Sequence, residues 1–331
     1  MQCHSNIFHN ISDIDLTNCQ VLENLKKILV VVLCCSVHFP VSSQQNNTDS
    51  SNYEIDLVSD TQAPIGVEKL VLKAHQNELA TRKIFEDITE RRPYALLMLG
   101  DVVSIGYKES KWTEMDDYLW ALKTSSIAVA ALMGNHDVMF YPHKGETNFL
   151  KRFPDQVNTG FYKVYDSIAF ILLNSNFKTL DEQQLRAQQT FYITTLQKFD
   201  SDNAIKCIVV CCHHAPYSNS TIVGVDKEVQ ENFVPAYLTT KKAKLFITGH
   251  AHDFEHFEKE GKDFLTIGGG GGLHQPLNVG TGRIPSLTHG YDPEFHYLLI
   301  RRMQNELVII SRVLKPDFSG FENRYRFELP L

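Results

Sequence analysis

Gly134-Asn135-His136-Asp137 ends an apolar run, Ile127-Ala128-Val129-Ala130-Ala131-Leu132-Met133. The run reads as a buried strand. A strand that ends this way puts polar groups at the edge of a sheet. In an open α/β sheet, the rim at the strand C-termini is where ligands bind. By itself the tetrapeptide reads equally well as a turn with a solvated histidine. The balance changes because four other apolar runs end alike. Ile55 to Ser59 runs into Asp60-Thr61-Gln62, and Ala95 to Leu99 into Gly100-Asp101. Ile208 to Cys212 runs into His213-His214, and Lys244 to Thr248 into Gly249-His250-Ala251-His252. Chance rarely places Asp, Asn, Gln or His at every one of these exits.

This ordered set resembles the calcineurin-like metallophosphoesterase superfamily, which includes the purple acid phosphatases. The family pattern is Asp-x-His, Gly-Asp, Gly-Asn-His-Asp/Glu, a lone His after a strand, and Gly-His-x-His. The blocks occur here in family order over roughly residues 53–315, and their combination is far more specific than any one of them.

The resemblance implies an α/β fold, a four-layer α-β-β-α sandwich in which two facing mixed β-sheets are flanked by helices. It also implies a phosphoric ester hydrolase. Such an enzyme would cleave a phosphomonoester or small phosphodiester by a metal-bridging hydroxide at a dinuclear site. Two ions about 3.5–4 Å apart can clamp a phosphoryl group for in-line displacement. Carried over residue by residue, Asp101 is the bridge. One ion takes Asp60, Asp101, His252 and Gln62; the other takes Asp101, the Asn135 amide oxygen, His213 and His250. The ions implied are divalent or trivalent: Mn, Fe or Zn. His136 faces the substrate as proton donor or charge stabiliser, with Asp137 orienting its imidazole from behind. His214, His256 and Arg283 are the expected substrate contacts. In extended chain, residues two apart point the same way, which suits the Asp60/Gln62 and His250/His252 pairs. The isolated histidines His75, His143, His274, His289 and His296 read as structural.

Two positions depart from the family pattern. Gln62 stands where histidine is usual; either its amide oxygen shifts that site away from Zn²⁺ towards oxygen-preferring ions, or it stands behind a water that fills the ligand position. Ser104 stands where purple acid phosphatases carry the tyrosine that colours their iron, so the protein is expected to be colourless.

The chain has 331 residues, 43% of them apolar, enough for one large domain with a substantial core. Its net charge of −7 leaves no basic footprint for nucleic acid. A small phosphorylated substrate is the expected partner. Residues 1–43 read as a leader with a signal-peptide core at 28–37, too short to span a bilayer. Export to the periplasm or medium follows, with lipid attachment at Cys34 or Cys35 as the lesser reading. Residues 44–52 form a polar linker, and 53–331 a single catalytic domain. Cys207, Cys211 and Cys212 share one strand and read as buried apolar fillers.

Elsewhere the apolar spacing predicts one helix or two over 67–90, a helix over 111–123, and a helix from an Asp181 cap to Phe199. Strands are expected at 168–173 and 264–267, with a hairpin at 295–302 and 306–313. Residues 138–160 show no periodicity and read as a loop. The glycines 268–272 suit a close backbone approach to a ligand, without the Lys-Ser or Lys-Thr of a nucleotide-binding loop. Specificity is expected from the loops at 138–160, 217–228 and 269–293. The alternative from another class is a non-catalytic metal- or phosphate-binding module that retains the fold.

Overall fold

The computed structural model describes residues 53–288 and 294–331. The leader, the linker, Cys34, Cys35 and His289 lie outside the described residues. The strands are β1 (Glu54–Val58), β2 (Ala95–Leu99), β3 (Ala128–Leu132), β4 (Phe161–Tyr165), β5 (Ile168–Leu172) and β6 (Cys207–Cys211). They continue with β7 (Ala243–Thr248), β8 (Phe254–Lys259), β9 (Lys262–Ile267), β10 (His296–Met303), β11 (Glu306–Leu314) and β12 (Phe321–Pro330). The helices are α1 (Asn77–Arg91), α2 (Thr113–Thr124), α3 (Asn135–Val138), α4 (Pro142–Arg152), α5 (Glu182–Ser201), α6 (Lys227–Asn232) and α7 (Val234–Thr239).

Two six-stranded sheets form, in the orders β12-β11-β10-β1-β2-β3 and β4-β5-β6-β7-β9-β8. The motif-bearing strands are parallel neighbours: β1, β2 and β3 in one sheet, β6 and β7 in the other. Strand periodicity explains the layers. Ile55 and Leu57 point into a core shared by both sheets, with Leu97, Phe170, Val209 and Ile247, while Val58 points outward onto helices. Ile84, Phe85 and Ile88 of α1 and Met115 and Leu122 of α2 cover the outer face of the first sheet. Tyr192, Leu196 and Phe199 of α5 cover the second. The result is the expected four-layer sandwich of two facing mixed sheets flanked by helices.

Local chemistry accounts for the element ends that matter. Asp181 accepts from the Gln184 N–H at 2.8 Å, and the Gln184 side chain accepts from the Asp181 N–H at 2.9 Å. This capping box starts α5 where expected. The β10–β11 hairpin is also as expected, and Cys207, Cys211 and Cys212 are buried and free.

Other expectations need correction. The helical reading of 67–90 holds only from Asn77. Before it lies a single 3-10 turn, Glu68–Leu70, and Val67, Leu70 and Val71 are exposed. Helical spacing without a surface to pack on does not sustain a helix. Residues 142–152, read as loop, form α4. Pro142 suits the first turn, and its buried stripe of Gly145, Asn148 and Phe149 is too polar to show as a period. Strands β4, β8 and β12 and helices α6 and α7 had no place in the sequence reading. Among the described residues, no helix is long and apolar enough to cross a membrane.

Phe170 lies fully buried between the sheets. Phe170→Ala is expected to cost about 3–5 kcal/mol. The check is a lower denaturant midpoint at unchanged slope.

Candidate metal centre

The exits of β1, β2, β3, β6 and β7 converge where the two sheets meet. Short-range backbone bonds hold them together. The Asp60 N–H donates to Gly100 O and the Gln62 N–H to Asp101 O, both at 3.1 Å, and the Gly249 N–H donates to His213 O at 2.9 Å. The sheets are stitched across by the His250 N–H on Asp60 Oδ2 at 2.9 Å and by Asn176 Nδ2 on Met133 O at 2.9 Å. Asp60, Asp101 and His250 all adopt left-handed backbone, with φ of 61°, 50° and 67°. The Asp60/Gln62 and His250/His252 pairs are therefore not extended, as simple alternation supposed. Backbone strain of this kind concentrates at functional sites.

Two sets of side-chain atoms result. In the first, His252 Nε2 lies 3.3 Å from Asp60 Oδ1 and 3.2 Å from the Gln62 amide, which is 3.5 Å from Asp101 Oδ2. The Gln62 amide has a preferred sense. With its nitrogen turned to the Asp60 and Asp101 carbonyls, each 3.1 Å away, its oxygen faces His252 Nε2. The opposite sense sets that oxygen against two carbonyl oxygens. In the second set, His213 Nε2 lies 3.2 Å from Asp101 Oδ2 and 3.2 Å from Asn135 Oδ1. The His250 ring stands 5.1 Å from that of His213, centre to centre.

These sets fit metal ions. Ligand atoms bound about 2.0–2.2 Å from one ion lie about 3.0–3.5 Å from one another. His213 Nδ1 is 2.9 Å from Leu99 O and His252 Nδ1 is 2.7 Å from Leu273 O. Each carbonyl takes the Nδ1 proton and leaves Nε2 as the donor atom aimed into the cluster. Asp60 and Asp101 are buried with no lysine or arginine partner among the described residues, a state that ordinarily calls for a cation. Asp101 Oδ2 belongs to both sets.

The titration behaviour marks the same place. Burial opposes the Asp101 charge, but His213 and His136 outweigh it and hold the carboxyl well below its ordinary range. Burial also opposes charge on His213, and Asp101 pushes that ring up to about 9. His252 is raised as well, since its contact with Asp60 outweighs burial. Burial, aided by His214 and His213, takes His250 the other way. Such divergent shifts in one cleft are characteristic of functional sites.

His136 sits beside both sets without joining either. Its backbone N–H donates to Asp101 Oδ1 at 2.8 Å, and Nδ1 meets Ser104 O at 3.0 Å. Nε2 is left facing outward, 4.0 Å from Asp101 Oδ2 and 3.5 Å from Glu68 Oε1. Asp137 does not brace this imidazole as expected. Its carboxylate accepts the N–H groups of Gly134, Val102 and Val103 at 2.8, 3.3 and 3.2 Å. It therefore pins the β2 exit to the β3 exit, and burial, then Asp101, pushes it up to about 7. Gly134 is required by space: a Cβ there would stand 2.2 Å from Asp101 Oδ1.

His214 is fixed by valence. Ser175 Oγ accepts the N–H groups of His213 and His214 at 3.2 and 3.0 Å, so its one proton goes to His214 Nδ1, 2.8 Å away. Burial and His213 take this ring down to about 3, so it is neutral and carries its proton on Nε2. His213, His214 and His250 are close enough to hold an ion together, but the protonated Nε2 makes His214 a donor rather than a ligand.

One expected substrate contact lies elsewhere. His256 is buried on β8, between Asp263 Oδ1 at 2.7 Å and the Tyr325 hydroxyl at 2.9 Å. Arg283 is exposed, and Glu255 is the acid that feels its charge. The glycine run approaches the chain rather than a ligand: the N–H groups of Gly270 and Gly272 donate to Ser59 O and Asp60 O. Glu68 and Ser175 were missed as site neighbours. Of these only Ser175 had a sequence signal, as the middle of the polar Asn174-Ser175-Asn176 exit.

A family model described as calcineurin-like phosphoesterase matches residues 53–254. No curated protein matches the chain. Among solved structures, a purple acid phosphatase from yellow lupin (Lupinus luteus) is similar with a TM-score of 0.62 at 16% identity over 85% of this chain. This chain spans about half of that one, 54%. GAP50 of Plasmodium, described as the anchor in the inner membrane complex, gives 0.59 at 14% identity, covering 84% of this chain and 89% of that one. A dimetal phosphatase from Danio rerio gives 0.56 at 13%, covering 85% and 99%. At these identities the structural likeness speaks for the fold.

Proposed function

Since the chain belongs to the calcineurin-like phosphoesterase family, we propose that it is a metal-dependent phosphohydrolase acting on a phosphomonoester or a small phosphodiester. The observation that carries this reading is Asp101 Oδ2, which faces His213 Nε2 at 3.2 Å and the Gln62 amide at 3.5 Å. One carboxylate oxygen common to two ligand sets suits a pair of ions. Asp60, Gln62, Asp101 and His252 would hold one; Asp101, Asn135, His213 and His250 the other. Such a pair, when bound, would supply an activated water and neutralise charge on the phosphoryl oxygens.

The chain's own groups do the rest. The carbonyls of Leu99 and Leu273 keep the two ligand imidazoles in the correct tautomer. His136 Nε2 hands a proton to the departing oxygen. His214 Nε2–H donates to a phosphoryl oxygen. Beside Asn135 and His214 lies a cavity of about 320 Å³, lined by Met139, Phe177, Lys178 and Asp226. Its place next to the second ligand set suits the leaving group. The alternative, a non-catalytic module, draws on GAP50, whose described role is that of an anchor. A ligand set that departs from the family pattern only at Gln62, together with His136, favours the enzyme.

The test is elemental analysis of the purified protein with assays on aryl phosphomonoesters and diesters under Mn²⁺, Zn²⁺ or Mg²⁺. About two ions per chain and hydrolysis are expected. Folded protein with neither would overturn the reading. Metal preference has its own check. Gln62→His replaces an amide oxygen by imidazole and is expected to raise the Zn:Mn ratio of bound metal severalfold when both are offered.

A further inference from the structure

Resting on that reading, we infer that Glu68 selects among phosphate esters, disfavouring dianionic monoesters and tuning the site to monoanionic diesters. The 3-10 turn that carries it is arranged inside out. Val67, Leu70 and Val71 are 64, 84 and 74% exposed, whereas the Glu68 side chain is 20% exposed. Hydrophobic burial alone would predict the reverse. The turned-in acid is held there. Its Oε2 accepts the Ile65 N–H at 2.7 Å, and its Oε1 lies 3.5 Å from His136 Nε2.

That nitrogen marks where the ester must enter, since it also stands 4.0 Å from the Asp101 oxygen shared by both ligand sets. A fixed carboxylate therefore borders the phosphoryl position. Like charges a few ångströms apart repel even when screened by solvent. A monoester dianion carries one more negative charge into that contact than a diester does. Specificity obtained by penalising the wrong ligand is a general strategy. The exposed Lys69 and Lys73 beside it belong to the solvent face of the same segment, so Glu68 is the side chain of this turn that faces His136.

The test is Glu68→Gln in the metal-loaded full chain. Glutamine keeps an oxygen for the Ile65 N–H and removes only the charge. Matched aryl phosphomonoester and aryl methyl phosphodiester substrates are compared at pH 8. The wild-type diester-to-monoester ratio of kcat/KM is expected to fall by about tenfold, through a gain on the monoester. Calorimetry with inorganic phosphate and dimethyl phosphate gives a readout independent of turnover. Phosphate is expected to bind about tenfold tighter to the variant, and dimethyl phosphate by less than about threefold. Equal changes on both esters, or losses on both, would overturn the inference and leave a gating or positioning role. An unmoved ratio in an active enzyme sinks this inference alone. A wild type that hydrolyses neither ester and binds neither anion sinks the phosphohydrolase reading and this inference with it.

Discussion

Asp101→Asn is expected to abolish hydrolysis by at least about 10³-fold and to lower bound metal from about two ions per chain towards one or none. The substitution is nearly isosteric, so its effect isolates chemistry from packing. Asp101 Oδ1 accepts the His136 N–H at 2.8 Å, and an amide oxygen can keep that contact. The other position then becomes an NH2 facing His213 Nε2 and the Gln62 amide, where a ligand oxygen is needed. An amide nitrogen donates and cannot ligate. Both ligand sets lose a member at once. The apolar layers are untouched, so circular dichroism and cooperative melting should survive. Full activity with two ions bound would remove Asp101 from the bridging role.

His136→Ala is expected to lower kcat by about 10²–10⁴-fold while both metal ions remain bound. The separation follows from geometry. The ring contributes no atom to either ligand set, since its Nδ1 is spent on Ser104 O. Its backbone N–H, which holds Asp101, survives the change. Leaving-group dependence distinguishes proton donation from charge stabilisation. A proton donor matters most when the departing oxygen is basic, so an alkyl ester should lose more than a nitrophenyl ester. Equal losses on both would assign His136 to stabilising phosphoryl charge instead. Metal loss in this variant would mean that the ring holds the centre together.

The site was legible in the sequence because its ligands sit at the ends of apolar runs. A buried strand announces itself by composition, and its exit is the next polar residue. Asp60, Asp101, Asn135, His213, His250 and His252 all stand at such exits, their ligand roles came from the resemblance of the ordered set, and the structure gathers them at one junction of two sheets. Gln62 was found by position, against its residue type. The loops were poorly legible. Helical spacing misplaced the start of α1, because Val67, Leu70 and Val71 have no surface to bury against. The polar stripe of α4 hid a helix that Pro142 begins. His256 was chosen by its spacing from His252, and its partners Asp263 and Tyr325 give it other work.

Through the family resemblance of its ordered exits the sequence implied the two-sheet fold and the ligand list; read directly, it showed the motif-bearing strands and their polar exits. These depend on local order, the alternation of side chains along a strand and the residue that follows. Which atom each side chain presents follows from its neighbours in the folded chain. His213 offers Nε2 because Leu99 O, 114 residues away in the chain, takes Nδ1. His214 is turned into a donor by Ser175, 39 residues away. Asp137 faces backbone N–H groups rather than an imidazole, and Glu68 is aimed at His136 across 68 positions of chain that carry no shared pattern. Hydrogen-bond partners distant in sequence leave no periodic trace, so tautomer, amide sense and charge at the mouth of the site are properties of the folded chain.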